Sequence, residues 1–147
     1  MTRALVTDKI LEAKKKKGLT FEAIAKAVGR HKVWVTAALL GQAPMSAEEA
    51  QKAVAILGLG PEVAAGLQEI PTKGSVGQTV PVDPLIYRFH EITQVYGTTL
   101  KAIIHEMFGD GIMSAIDFEL DVQKKEDPKG DRVVITMNGK FLPYKKW

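Results

Sequence analysis

An α+β fold is what this sequence predicts: a helical bundle over residues 1–75, then a second half, residues 76–147, in which helices are followed by a short β-hairpin. Three observations carry the prediction. Apolar residues recur at steps of three and four in short capped segments up to about residue 70, they do so again from Leu85 to Met107, and from Ile116 the period drops to two. Residues 71–82, PTKGSVGQTVPV, have the Pro, Gly, Ser and Thr content of a linker between the halves.

In chain order, Leu5 to Lys16 is amphipathic and Gly18 ends it. Thr20 caps Phe21 to Val28, Gly29 marks a turn, and Lys32 to Leu40 forms a third helix closed by Gly41. Ser46-Ala47-Glu48-Glu49 fits the capping box, with Glu49 reaching back to the Ser46 N–H, and opens a helix to about Leu57. Pro61 starts one more, which ends before Pro71. The helices on either side of Gly29 resemble a helix-turn-helix of the phage-repressor kind. On that arrangement Arg30, His31 and Lys32 stand where a recognition helix enters the major groove, and Lys14 to Lys17 would meet phosphates. The helix continues as Val33-Trp34-Val35-Thr36-Ala37-Ala38-Leu39-Leu40, however, with almost no side chain that reads a base edge. It is a helix for packing against protein, the lysine run is a solvated face, and no nucleic-acid partner is expected.

In the second half Asp83 is a helix N-cap and Pro84 suits the first helical position. Leu85, Phe89, Ile92 and Tyr96 then make one apolar face, with Arg88 and Glu91 together on a neighbouring one. Gly97 is predicted to interrupt the helix and Thr98 to cap a second, carrying Leu100, Ile103, Ile104 and Met107 to a left-handed Gly109. Residues 109–114 read as a tight loop bearing one hydroxyl, Ser114. Ile116, Phe118, Leu120 and Val122 alternate with polar residues as a strand, Pro128-Lys129-Gly130-Asp131 turns the chain, and Val133 to Met137 returns it. Asn138-Gly139 reads as another turn before a short Phe141-Leu142 segment. A lone two-stranded hairpin is only marginally stable in water, so a second subunit is expected to complete the sheet.

Composition excludes several classes of function. The chain is 46% hydrophobic and 25% charged, the profile of a globular protein. It has no cysteine, which removes disulfides, cysteine-ligated metals and thiol catalysis. Neither a signal-like apolar core at the N-terminus nor a run long enough to span a bilayer is present, so the cytoplasm is the expected location. Residues 1–75 carry a charge of +4 and residues 76–147 a charge of −1. An anion site in the second half would therefore depend on local placement of positive groups.

Taken alone, Arg88 and Glu91 are an ordinary i,i+3 surface pair worth under ~1 kcal/mol, and Ser114 is a cap or turn residue. The surrounding residues change that reading. Asp83-Pro84, Tyr87-Arg88-Phe89 with Glu91, Val95-Tyr96-Gly97-Thr98-Thr99-Leu100-Lys101, and Phe108-Gly109-Asp110-Gly111-Ile112 with Ser114-Ala115-Ile116 resemble the signature region of cyanases, also called cyanate hydratases or cyanate lyases. The match is nearly continuous over some thirty-five residues, and the small departures, Asn138 where Asp is common in the Asp-Gly-Lys turn and a shorter N-terminus, lie outside the matched site. The resemblance implies catalytic residues at Arg88, Glu91 and Ser114. It also implies the reaction: cyanate and bicarbonate give carbamate and carbon dioxide, and carbamate breaks down to ammonia and carbon dioxide, detoxifying cyanate and releasing nitrogen. A homodecamer of five dimers with intertwined C-terminal strands, and sites shared between chains, are implied as well.

The chemistry suits these residue types. Two unit anions at ~4 Å repel by about 1 kcal/mol in water and about 4 kcal/mol at an effective dielectric near 20. Arg88 supplies permanent charge in a planar fork that fits a carboxylate-like anion; Glu91 orients it; Ser114 donates a hydrogen bond to charge as it accumulates, with bicarbonate as the nucleophile. Other constellations are weak. His31, His90 and His105 show no metal-ligand spacing, His105 being the best remaining candidate for a proton carrier. Ser114 lacks the Gly-x-Ser-x-Gly elbow, and no phosphate-binding or dinucleotide motif occurs. Neither a metal nor an organic cofactor is expected.

Overall fold

The computed structural model describes residues 1–74 and 79–147, and it is α+β, with two compact units, Met1–Gly74 and Ser75–Trp147. Residues 75–78, within the stretch read as a linker, lie outside the described residues.

In the first unit, α1 (Arg3–Lys16), α2 (Phe21–Val28), α3 (Lys32–Leu39), α4 (Ala47–Leu57) and α5 (Pro61–Gln68) surround one core. Val6, Ile10, Ile24, Leu39, Leu57 and Leu67, drawn from all five helices, are fully buried there, each worth about 1.5–3 kcal/mol of transfer free energy. Local caps place the helix starts. Thr20 Oγ1 accepts the Ala23 N–H at 3.1 Å, and both halves of the α4 capping box form, Glu49 N–H to Ser46 Oγ at 3.2 Å and Ser46 N–H to Glu49 Oε2 at 2.8 Å. Helix α1 begins two residues before its predicted start because Thr2 caps it and Arg3 is held. The Arg3 guanidinium donates to the carbonyls of Gly66 and Ala38, both at 2.6 Å, and of Ala43 at 3.1 Å. Three segments are thereby tied to the first turn of the chain.

The second unit holds α6 (Pro84–Phe108), β1 (Gly111–Lys125) and β2 (Arg132–Pro143). The predicted break at Gly97 is corrected: α6 is one helix of 25 residues, about 37 Å long. A helix-interior glycine costs about 1 kcal/mol relative to alanine, too little to end a helix whose period continues on both sides. Thr98 is consequently not a cap. Gly109 does end the helix, with φ +88° and ψ −163°, an extended conformation open to glycine rather than the left-handed one predicted.

Two strand boundaries also differ from the prediction. The stretch read as a loop is strand from Gly111 onward, and β2 runs through Asn138-Gly139 without turning. Pairing explains both. The turn at Asp127, whose carbonyl accepts the Gly130 N–H at 2.9 Å, sets a register in which Gly111 faces Pro143 and Met113 faces Phe141. That ladder extends strand geometry beyond the alternating segment. It is broken once, between Met113 and Phe118, where the four residues Ser114 to Asp117 stand against the single residue Lys140. No residue of α6 is buried, and Ile116 on the hairpin is 97% exposed.

Candidate active site

Asp83 fixes where α6 begins, its Oδ1 accepting the N–H groups of Leu85 and Ile86 at 3.0 and 2.9 Å, with Pro84 in the first turn. Counting from that start, Arg88 and Glu91 fall one turn apart on one face. Arg88 Nη1 donates to Glu91 Oε2 at 2.8 Å. The side chains are 58% and 50% exposed in the single chain, so the pair adds under ~1 kcal/mol to its stability. The bond leaves the other guanidinium N–H groups available to an anion.

Ser114 is in the opposite situation. It is 5% exposed, and its Oγ accepts the N–H groups of Ile116 at 3.1 Å and Asp117 at 2.9 Å. These bonds gather the four-residue bulge around the hydroxyl. A hydroxyl has two lone pairs and one proton; both acceptor positions are occupied, and among the described residues no acceptor takes the proton. Ser114 is thereby left with its proton to donate, and among the described residues no base is hydrogen-bonded to the hydroxyl. The sequence places a loop here, whereas the structure places a strand bulge. Its signal, a glycine inside an otherwise regular strand beside the bulge, is present at Gly139.

Arg88 and Glu91 are brought together; Ser114 is not brought to them. About 30 Å of helix axis separates Arg88 from the end of α6, and the ring contact and hydrogen bonds between that end and the hairpin lie among the described residues from His105 to Tyr144. There Phe108 stacks on Phe141 with centroids 5.0 Å apart, the Tyr144 N–H donates to the Asp110 carbonyl at 3.1 Å, and His105 Nε2 lies 3.2 Å from the Gly111 carbonyl oxygen. His105, the candidate proton carrier, thus clamps the turn that leads into β1. Lys101 Nζ stands 3.4 Å from its Nδ1.

Three of the residues that suggested a nucleic-acid reader, Arg30, Lys14 and Lys17, have partners inside the first unit. Arg30 Nε donates to Glu49 Oε1 at 2.6 Å, the Lys14 ammonium sits 4.4 Å from the centre of the Phe21 ring, and Lys17 Nζ donates to the Ile56 carbonyl at 3.0 Å. The backbone bond from Ser46, together with Arg30 and against the effect of burial, holds the Glu49 carboxyl below the usual carboxylate range. A groove of about 500 Å³ on this unit is lined by charges of both signs, including Lys9, Lys16, Glu12 and Glu62. Among the described residues no three His, Asp or Glu side chains gather as a metal site requires. No helix among them is long and apolar enough to cross a membrane.

Matches to two family models define the class as a lyase. Residues 3–71 match the family described as "Cyanate hydratase, N-terminal" and residues 78–146 the one described as "Cyanate lyase C-terminal domain". The chain is 60% identical over 142 residues to the cyanate hydratase of Synechococcus sp. (strain CC9311), covering 97% of this chain and 95% of that relative. It is 56% identical over 147 residues to the cyanate hydratase of Acaryochloris marina (strain MBIC 11017), covering all of both. The crystal structure of cyanase from T. urticae superposes with a TM-score of 0.84 at 46% identity, covering 94% of this chain and 96% of that one. The chain belongs to the cyanate hydratase family.

Proposed function

We propose that the protein decomposes cyanate with bicarbonate as co-substrate, using Arg88, Glu91 and Ser114. One cyanate, one bicarbonate and one proton give carbamate and carbon dioxide; carbamate takes a second proton and leaves as ammonia and carbon dioxide. Protons and the two anions balance the reaction without an oxidant or reductant, and in this reading neither a metal nor an organic cofactor takes part. Arg88 offsets the repulsion between the anions, Glu91 holds the guanidinium in one orientation, and the Ser114 hydroxyl donates to the oxygen or nitrogen on which negative charge accumulates.

What most supports this reading is the hydrogen bonding at Ser114, whose two accepted N–H bonds leave the hydroxyl only its proton to offer. Because Arg88 lies about 30 Å of helix from the end where Ser114 sits, one site holding both needs residues from more than one chain. The apolar residues of α6 and the hairpin, exposed in the single chain, fit the same need. In this reading residues 76–147 carry both catalysis and dimerisation, residues 1–75 form the accompanying helical bundle, the particle is a homodecamer of five dimers, and it works in the cytoplasm.

Ammonia release measured with cyanate, in the presence and absence of bicarbonate, tests the reading. Turnover that requires both anions is expected. Turnover indifferent to bicarbonate, or none at all, would overturn it.

A further inference from the structure

We propose that Gly139 is a positioning residue for Ser114: the absence of a side chain at 139 is what lets the Ser114 bulge close over β2. The inference rests on the reading of Ser114 as a site residue and names what holds that residue in place.

Gly139 lies within β2, paired with Phe118 at the edge of the bulge. A Cβ built on it would stand 2.5 Å from the Ser114 carbonyl oxygen, 2.5 Å from Met113 Cγ and 3.2 Å from Met113 Sδ. These neighbours differ in kind. The Met113 side chain is flexible and 40% exposed, so it can swing aside. The Ser114 carbonyl is backbone and moves only if the bulge moves. Such a shift would disturb the two bonds, at 3.1 and 2.9 Å, that aim the Ser114 hydroxyl.

Backbone conformation does not explain the glycine, because Gly139 is absent from the glycines with positive φ. Its requirement is space. A strand glycine without such a contact is improved, or left unchanged, by alanine, since the unfolded chain loses freedom and the strand gains a side chain. The two accounts therefore predict opposite outcomes for one substitution.

The test uses the full chain in its native assembly and compares Gly139→Ala, Met113→Ala, the two combined, and Ser114→Ala. Gly139→Ala is expected to keep the native mass, to lose roughly tenfold to a hundredfold in kcat, and not to be restored by adding Met113→Ala, which alone leaves kcat unchanged. Hydrogen exchange supplies a readout independent of turnover. In Gly139→Ala the Ile116 and Asp117 amides are expected to exchange roughly tenfold faster or more, while amides near the Asp127 turn keep their rates. Unchanged exchange at Ile116 and Asp117, or full restoration by Met113→Ala, would overturn the proposal, as would a Gly139→Ala chain that fails to assemble, because the glycine would then serve the whole hairpin. Full turnover in Ser114→Ala would instead overturn the reading of the site and leave the exchange rates to decide the role of Gly139.

Discussion

Ser114 and Arg88 differ in how much of their chemistry a single chain already fixes. The serine is buried and its oxygen is committed to two backbone N–H groups, whereas the arginine has one bond to Glu91 and more than half of its side chain in solvent. Replacing Ser114 by alanine removes the donor and also leaves two N–H groups without a partner. A loss of about 10²-fold or more in kcat is expected, of the size seen when one preorganised donor to an oxyanion is deleted. On the proposed mechanism Arg88→Leu removes the charge that opposes anion repulsion, and turnover is expected to vanish while the far-ultraviolet circular dichroism stays that of the parent. Arg88→Lys keeps the charge without the planar fork and is expected to fall between the two. Steady-state kinetics on the three variants checks these outcomes. An Arg88→Leu enzyme with parental turnover would remove that residue from the site.

At the scale of the element, the capping box of α4 carries a pH-dependent contribution. The Glu49 carboxyl is held below the ordinary carboxylate value, first by the backbone bond from Ser46 and then by Arg30. A depressed folded-state value means that the stabilisation is fully present above the unfolded pKa, about 4.3, and is lost as pH falls through the lower, folded value. Glu49→Gln retains an acceptor for the Ser46 N–H but not the charge. It is expected to cost about 1 kcal/mol at pH 7, with the difference from the parent shrinking toward zero in strong acid. Urea unfolding across pH measures this, and a deficit that persists unchanged below pH 3 would contradict it. The same elements show what the sequence could reveal. Caps at Thr20 and Ser46 and the proline start of α5 act within four residues of themselves, so their signals can be read locally. The roles of Gly97, of the segment leading to Ser114 and of Gly139 are not legible locally, because a glycine or serine serves equally in a turn, a helix interior or a bulge. At Ser114 and Gly139 the pairing of Met113 with Phe141, distant in sequence, decides which, and at Gly97 the helical period on both sides does. Arg88, Glu91 and Ser114 are proposed as site residues through the family resemblance. Their separation is not legible in the sequence, because nothing in the neighbourhood of Ser114 states how far the unbroken α6 extends.

For the whole molecule, the second unit has two needs that point the same way. Leu85, Phe89, Ile92 and Tyr96 along α6, with Ile116 and Met137 on the hairpin, are apolar surface that the single chain leaves in water. Arg88 and Ser114 sit too far apart in one chain to hold the same pair of small anions. Closing α6 and the hairpin against other copies would cover the first and join the second. Mixing two inactive proteins tests this most directly. Arg88→Leu and Ser114→Ala chains are dissociated together, reassembled, and shown by native mass to have formed hybrid particles. If a site takes Arg88 from one chain and Ser114 from another, some sites in the hybrids receive both intact residues, and bicarbonate-dependent ammonia release returns. Hybrids as inactive as the two starting proteins would show that each site draws both residues from a single chain.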